Sequence, residues 1–106
     1  MRKRRSDRNH LIYKITCLPT GEHYIGVTVM KGPAKLRTLK QRWKAHQYKA
    51  FTLKEPWALS KAIRKHGVDA FEVELMETIR GKELAFAYEA EVINNTHPKL
   101  NTKKRK

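Results

Sequence analysis

Residues 11–29 read Leu11-Ile12-Tyr13-Lys14-Ile15-Thr16-Cys17-Leu18-Pro19-Thr20-Gly21-Glu22-His23-Tyr24-Ile25-Gly26-Val27-Thr28-Val29. Leu11 to Cys17 is rich in β-branched and aromatic residues, which favour a pleated strand. Leu18-Pro19-Thr20-Gly21 has turn chemistry, with Pro suited to the second position and Gly to the fourth. His23 to Val29 then reads as a returning strand, so the stretch predicts a hairpin. Downstream, Lys31-Gly32-Pro33 breaks the pattern. Leu36, Leu39, Trp43, His46 and Ala50 recur at helical spacing and predict a first helix over 36–50. Pro56 suits the first turn of a second helix, with Leu59, Ala62, Ile63 and His66 as its inner face and Gly67 as its end. Phe71, Val73 and Leu75 alternate with Glu72 and Glu74, the period of a third strand. Leu84 to Asn94 reads as a third helix, stopped before Pro98. The expected architecture is an α/β sandwich in the order β-β-α-α-β-α, with a three-stranded antiparallel sheet at its centre.

The chain has 106 residues, enough for one core. Lys and Arg number 24 against 10 Asp and Glu, a net charge of +14, and mean hydropathy is −0.74. Such self-repulsion suits a polyanionic partner, nucleic acid first and an anionic membrane surface second. The charge is segregated: residues 1–66 carry +14, residues 67–98 carry −5, and residues 99–106 carry +5. Arg2-Lys3-Arg4-Arg5 and Lys103-Lys104-Arg105-Lys106 read as flexible basic arms that add salt-sensitive phosphate affinity. The expected divisions are a basic arm over 1–10, a domain over 11–101 and a basic tail over 102–106. No apolar run reaches the roughly 18–20 residues of a spanning helix. A single cysteine, Cys17, excludes an internal disulfide scaffold and suggests a reducing, cytoplasmic setting.

Two helical faces carry polar chemistry. At about 100° per residue, Leu84, Ala85, Phe86, Tyr88, Val92 and Ile93 share one arc of the third helix, and Glu89 falls inside it. An inward Glu needs a partner: a cation of the chain in a buried ion pair, or a metal ion or proton in a cleft. Periodicity does not separate these. On the first helix Arg42, His46 and Lys49 share a side. This is either a solvated basic face or a phosphodiester-handling one, where an Arg fork grips phosphate and a His moves a proton near neutral pH.

Taken together, Leu11-Ile12-Tyr13 and Tyr24-Ile25-Gly26, Arg42-Trp43-Lys44-Ala45-His46, Lys65-His66-Gly67 with Phe71 to Leu75, Glu89 ahead of Ile93, and Pro98-Lys99-Leu100-Asn101 resemble, in order, the motifs of the GIY-YIG nuclease family. The resemblance spans residues 11–101. Leu11 stands where the family has glycine. The interval from Gly26 to Arg42 is longer than usual and contains Lys31, Lys35, Arg37 and Lys40, making Arg37 the alternative to Arg42. Leu100-Asn101 replaces an aromatic-Asn pair, and Asn94 and Asn95 are the alternatives to Asn101.

The resemblance implies a GIY-YIG-like fold and hydrolysis of DNA phosphodiester bonds with one divalent ion, Mg²⁺, for which Mn²⁺ substitutes. Glu89 would hold the ion, since a hard cation that keeps several waters needs few protein ligands. Arg42 would brace the scissile phosphate. Tyr13 would take a proton from the attacking water with His46 as relay, nearby positive charge lowering its phenol pKa. Tyr24 would hydrogen-bond the phosphate or support Tyr13, and Asn101 would position its neighbours on the sheet. DNA-backbone contacts are expected from Arg2, Lys3, Arg4 and Arg5 and from Lys35, Arg37, Lys40, Lys44 and Lys49, with the acidic segment 67–98 turned away except at Glu89. No separate recognition module fits, so low intrinsic sequence specificity follows, or specificity supplied by a homodimer or partner protein. The setting would be the cytoplasm, that of a host if the gene is phage-borne. The roles of homing, repair or recombination nicking, and host-DNA degradation stay open. The competing reading is a non-catalytic basic DNA-binding module that keeps the fold.

Overall fold

A computed structural model describes residues 8–30 and 34–101. Strand β1 (Asn9–Cys17) is followed by β2 (His23–Val29), helix α1 (Lys35–Phe51), helix α2 (Ala58–His66), a 3-10 turn, strand β3 (Phe71–Arg80) and helix α3 (Lys82–Thr96). The order is the expected β-β-α-α-β-α around an antiparallel sheet. β1 lies in the middle, flanked by β2 and β3. Arg2, Lys3, Arg4, Arg5 and the tail 102–106 lie outside the described residues, and β1 begins within the stretch expected to be an arm.

Alternation along β1 sends its side chains to two separate cores. Leu11, Tyr13, Ile15 and Cys17 pack with Leu39 and Ala50 of α1, Leu59 and Ile63 of α2, and Phe71, Val73 and Leu75 of β3. Ile12, on the other face, packs with Ile25 and Val27 of β2, Ile79 of β3 and Ala85 of α3. β3 reaches both cores through a bulge: Tyr13 pairs with Leu75 but Ile12 pairs with Glu77, leaving Met76 over. Strict alternation would put Ile79 on the same face as Leu75. The extra residue turns it under α3 instead.

Several expectations shift. The loop between β1 and β2 closes on Cys17, whose carbonyl accepts from the Thr20 and Gly21 amides, so Pro19 is third in the turn and Gly21 follows at φ +77°. Pro56 precedes α2 rather than entering it. The Lys61 amide donates to Trp57 as the first helical bond, and the Arg64 guanidinium grips the carbonyls of Ala50 and Glu55. Leu36 is 73% exposed, because α1 buries only residues from Thr38 onward. On α3, Leu84 and Phe86 are exposed and the buried centre is Ala85. A small side chain lets the helix close on Ile12 and Ile25, while its larger neighbours flank the contact. Gly67 ends α2 as expected, at φ +88°.

Candidate active site

Gly26 lies opposite Tyr13 in the β1–β2 ladder, on the side facing α1. A Cβ there would sit 2.5 Å from Tyr13 Cζ, 2.6 Å from its Oη and 2.8 Å from Tyr24 Cε2. Glycine is therefore required for space: the Tyr13 ring lies across the bare backbone of β2. α1 runs over this face and supplies two partners to the phenol. The Tyr13 hydroxyl hydrogen-bonds His46 Nε2 at 2.9 Å and accepts from Arg42 Nε at 3.2 Å. The Tyr24 ring packs edge-on to His46, with centroids 5.2 Å apart.

The electrostatics set the resting charges. Burial, reinforced by the Arg42 and Lys49 charges, brings His46 down to about 3, so the ring is neutral. A neutral imidazole carries one proton, so Nε2 accepts from the phenol in the Nδ1–H tautomer and donates to it in the other. Burial likewise drives the Tyr13 phenol upward, Tyr24 adds to this, and Arg42 offsets only part. This corrects the expectation that surrounding positive charge lowers the phenol: desolvation outweighs a single guanidinium. Burial also raises Tyr24, against the pull of Arg42, and the Glu89 charge adds to the rise. Burial works against the Arg42 cation, yet the two phenols more than offset it and hold the pKa up.

Glu89 arrives from the opposite side of the sheet. β2 is an edge strand, so α3 beneath it and α1 above it meet around its outer border. Tyr24, Arg42, His46, Lys49, Glu89 and Asn101 there line one cleft of about 1310 Å³. Tyr13 is buried and forms the layer behind them. The chain after α3 closes the edge. Leu100 donates its amide to the His23 carbonyl, and Asn101 spans the Ile25 peptide, accepting at Oδ1 from its N–H (2.8 Å) and donating from Nδ2 to its C=O (2.9 Å). Asn101 thus acts as a surrogate strand that holds the backbone between Tyr24 and Gly26.

The cationic residues divide. Lys49 lines the cleft, and Lys35 is two turns away on the Arg42 side of α1. Helical spacing puts the exposed Arg37, Lys40 and Lys44 on the far side of α1 from Arg42. Of the acidic segment only Glu89 lines the cleft; Asp69, Glu72, Glu74, Glu77, Glu83 and Glu91 are exposed elsewhere. Trp57, Glu55, His97 and Lys99 also line it and were not anticipated. Their loop positions carry no periodicity. Only an aromatic residue after Pro56, in a short link between helices, hinted at one of them.

A family model of the GIY-YIG catalytic domain matches residues 9–104. The chain belongs to the GIY-YIG family. It is a GIY-YIG endonuclease, and DNA is the substrate its family implies. The catalytic domain of the intron endonuclease I-TevI, solved as a mutant, superposes with a TM-score of 0.69 at 22% identity, covering 91% of this chain and 92% of that one, and shows the shared fold. No curated protein matches the sequence. GIY-YIG nucleases are generally metal-dependent. Among the described residues no three His, Cys, Asp or Glu side chains cluster as a metal cage. Two carboxylates, Glu89 and Glu55, line the cleft, which is open to water, and the charge of Glu89 is the one felt at Tyr24. That donor set fits a hydrated hard cation, which keeps most of its water shell, and does not fit zinc. No helix among the described residues is long and apolar enough to cross a membrane.

Proposed function

We propose that this GIY-YIG domain is a divalent-metal-dependent DNA endonuclease whose chemistry is carried by Tyr13, Tyr24, Arg42, His46 and Glu89, with Asn101 as a positioning residue. The observation that supports this best is the Tyr13 hydroxyl held between Arg42 Nε and a neutral His46 at the back of a cleft that Tyr24 and Glu89 also line. Burial keeps the Tyr13 phenol protonated at rest. It therefore accepts a proton from the attacking water as it passes its own to His46 Nε2, without a free phenolate accumulating. Arg42 grips a non-bridging oxygen of the scissile phosphate and steadies Tyr13 with the same guanidinium. Tyr24 donates to the phosphate from the cleft wall. Glu89 would hold the ion, Mg²⁺ with Mn²⁺ as substitute, which when bound would supply Lewis-acid stabilisation of the charge that develops on cleavage.

Lys49 and Lys35 continue the phosphate track along α1, while Arg37, Lys40, Lys44 and the basic ends (residues 1–10 and 102–106) contribute long-range attraction to the 11–101 unit. One such site cuts one strand, so the enzyme nicks, with low intrinsic sequence specificity, and a double-strand break needs a homodimer, a partner protein or two visits. A supercoiled-plasmid assay tests the reading. Nicking is expected with Mg²⁺ or Mn²⁺, and loss of it with EDTA or in Glu89→Ala. Full cleavage by Glu89→Ala, or salt-sensitive DNA retention with strands intact in every metal, would overturn it.

A further inference from the structure

Trp57 is an aromatic side chain left in the open. It is 49% exposed and lines the cleft alongside Lys49, Lys99, Tyr24 and Arg42. Trp43, by contrast, is half-buried with its ring against Phe71 at 5.7 Å. Among the described residues no ring pairs with Trp57. Its amphipathic ring, unlike that of Trp43, presents an open face to the cleft.

The loop that carries it is built rather than slack. The Thr52 and Leu53 amides donate to the Tyr48 carbonyl, and the Glu55 amide donates to Lys49. Arg64 holds the Ala50 and Glu55 carbonyls at 3.0 Å each. Trp57 itself is extended, at φ −74° and ψ 155°, and begins α2. The indole is thus mounted on a braced loop in the same cleft as the catalytic groups. At about 1310 Å³ the cleft exceeds the roughly 300–1,000 Å³ typical of small-molecule pockets, which leaves room beyond one phosphate.

We propose that Trp57 is a stacking platform for a nucleobase near the scissile phosphate, and that the enzyme therefore favours DNA with unpaired nucleotides at the cut over fully paired duplex. The proposal rests on the nuclease reading of the cleft and adds its substrate class. The physics is that of single-strand binding sites, where cations track the backbone and an aromatic face takes a base regardless of sequence. Paired bases keep both faces covered by their neighbours. Only a base that has left the helical stack can lie on Trp57.

Binding is measured in EDTA, so cleavage plays no part. A duplex with a short single-stranded gap is compared with the same duplex fully paired, using labelled DNA and anisotropy. Wild type should bind the gapped DNA more tightly. Trp57→Ala should lose about tenfold on it, the scale of one stacked base, and Trp57→Phe should recover most of that loss. In Trp43→Phe, gapped DNA should quench the fluorescence of the remaining indole, and in Trp57→Phe it should not. No gap preference in wild type, a preference intact in Trp57→Ala, or equal losses in the Ala and Phe variants would overturn the proposal. Gap preference without metal-dependent cleavage would sink the nuclease reading and leave Trp57 a base platform in a binding cleft. Cleavage without Trp57-dependent preference would do the reverse.

Discussion

Gly26→Ala adds one methyl group, and the structure says where it goes. The new Cβ would fall 2.5 Å from Tyr13 Cζ and 2.8 Å from Tyr24 Cε2. Ordinary carbon contacts need about 3.5–4.0 Å, so one partner must retreat by roughly 1 Å. Tyr13 has nowhere to go: it is 1% exposed, sits in the core with Leu11 and Ile15, and is tied by its hydroxyl to His46 and Arg42. Overpacking of this kind costs about 1–3 kcal/mol. At about 2 kcal/mol the melting temperature of a domain this size falls by roughly 8–16 °C. Function suffers more than stability. A 1 Å shift stretches the 2.9 Å bond to His46 beyond hydrogen-bonding range, and misplacement on that scale costs about 10²-fold in rate. Calorimetry and plasmid nicking, run below the variant's melting point, read the two effects separately. A Gly26→Ala protein that melts with wild type and nicks at the wild-type rate would refute the account of why glycine stands opposite the phenol.

Four further outcomes follow from the same geometry. Tyr13→Phe keeps the ring and removes the hydroxyl between Arg42 and His46; it should stay folded, lose about 1–2 kcal/mol in urea titration, and cut at least 10²-fold more slowly. Asn101→Ala removes both bonds to Ile25, costing about 2 kcal/mol, and should speed hydrogen exchange at the Ile25 amide; unchanged protection there would count against the surrogate-strand role. His46 is held neutral in the fold, near 3 against the ordinary 6.5, so its contribution is complete above pH 6.5 and is lost as the pH falls toward 3, because only the unfolded chain takes up the proton there. Melting temperature should therefore drop between about pH 7 and 5, and less steeply in His46→Gln, where only the smaller, similarly signed share of His23 remains. Arg42→Lys keeps the charge but not the Nε–H that reaches Tyr13, and should lower the nicking rate by tenfold or more without a large change in stability.

Alternation and helical period in the sequence were enough for the hairpin, the third strand, all three helices and the Gly67 stop. These signals are local, each requiring only that a segment hide one face. Helical spacing likewise singled out Arg42, His46 and Glu89, and the family resemblance added the two tyrosines and Asn101. What packing decided lay beyond any local window. Which arc of α3 is buried depended on how closely the helix approaches Ile12 and Ile25, which the small side chain of Ala85 permits. The face occupied by Ile79 depended on one surplus residue in β3 set against β1. The sign of the Tyr13 shift depended on burial outweighing Arg42, a balance between solvent exclusion and charge that no spacing encodes. Trp57 joins Glu89 in one cleft only because β2 is an edge strand, around which elements from both faces of the sheet can meet.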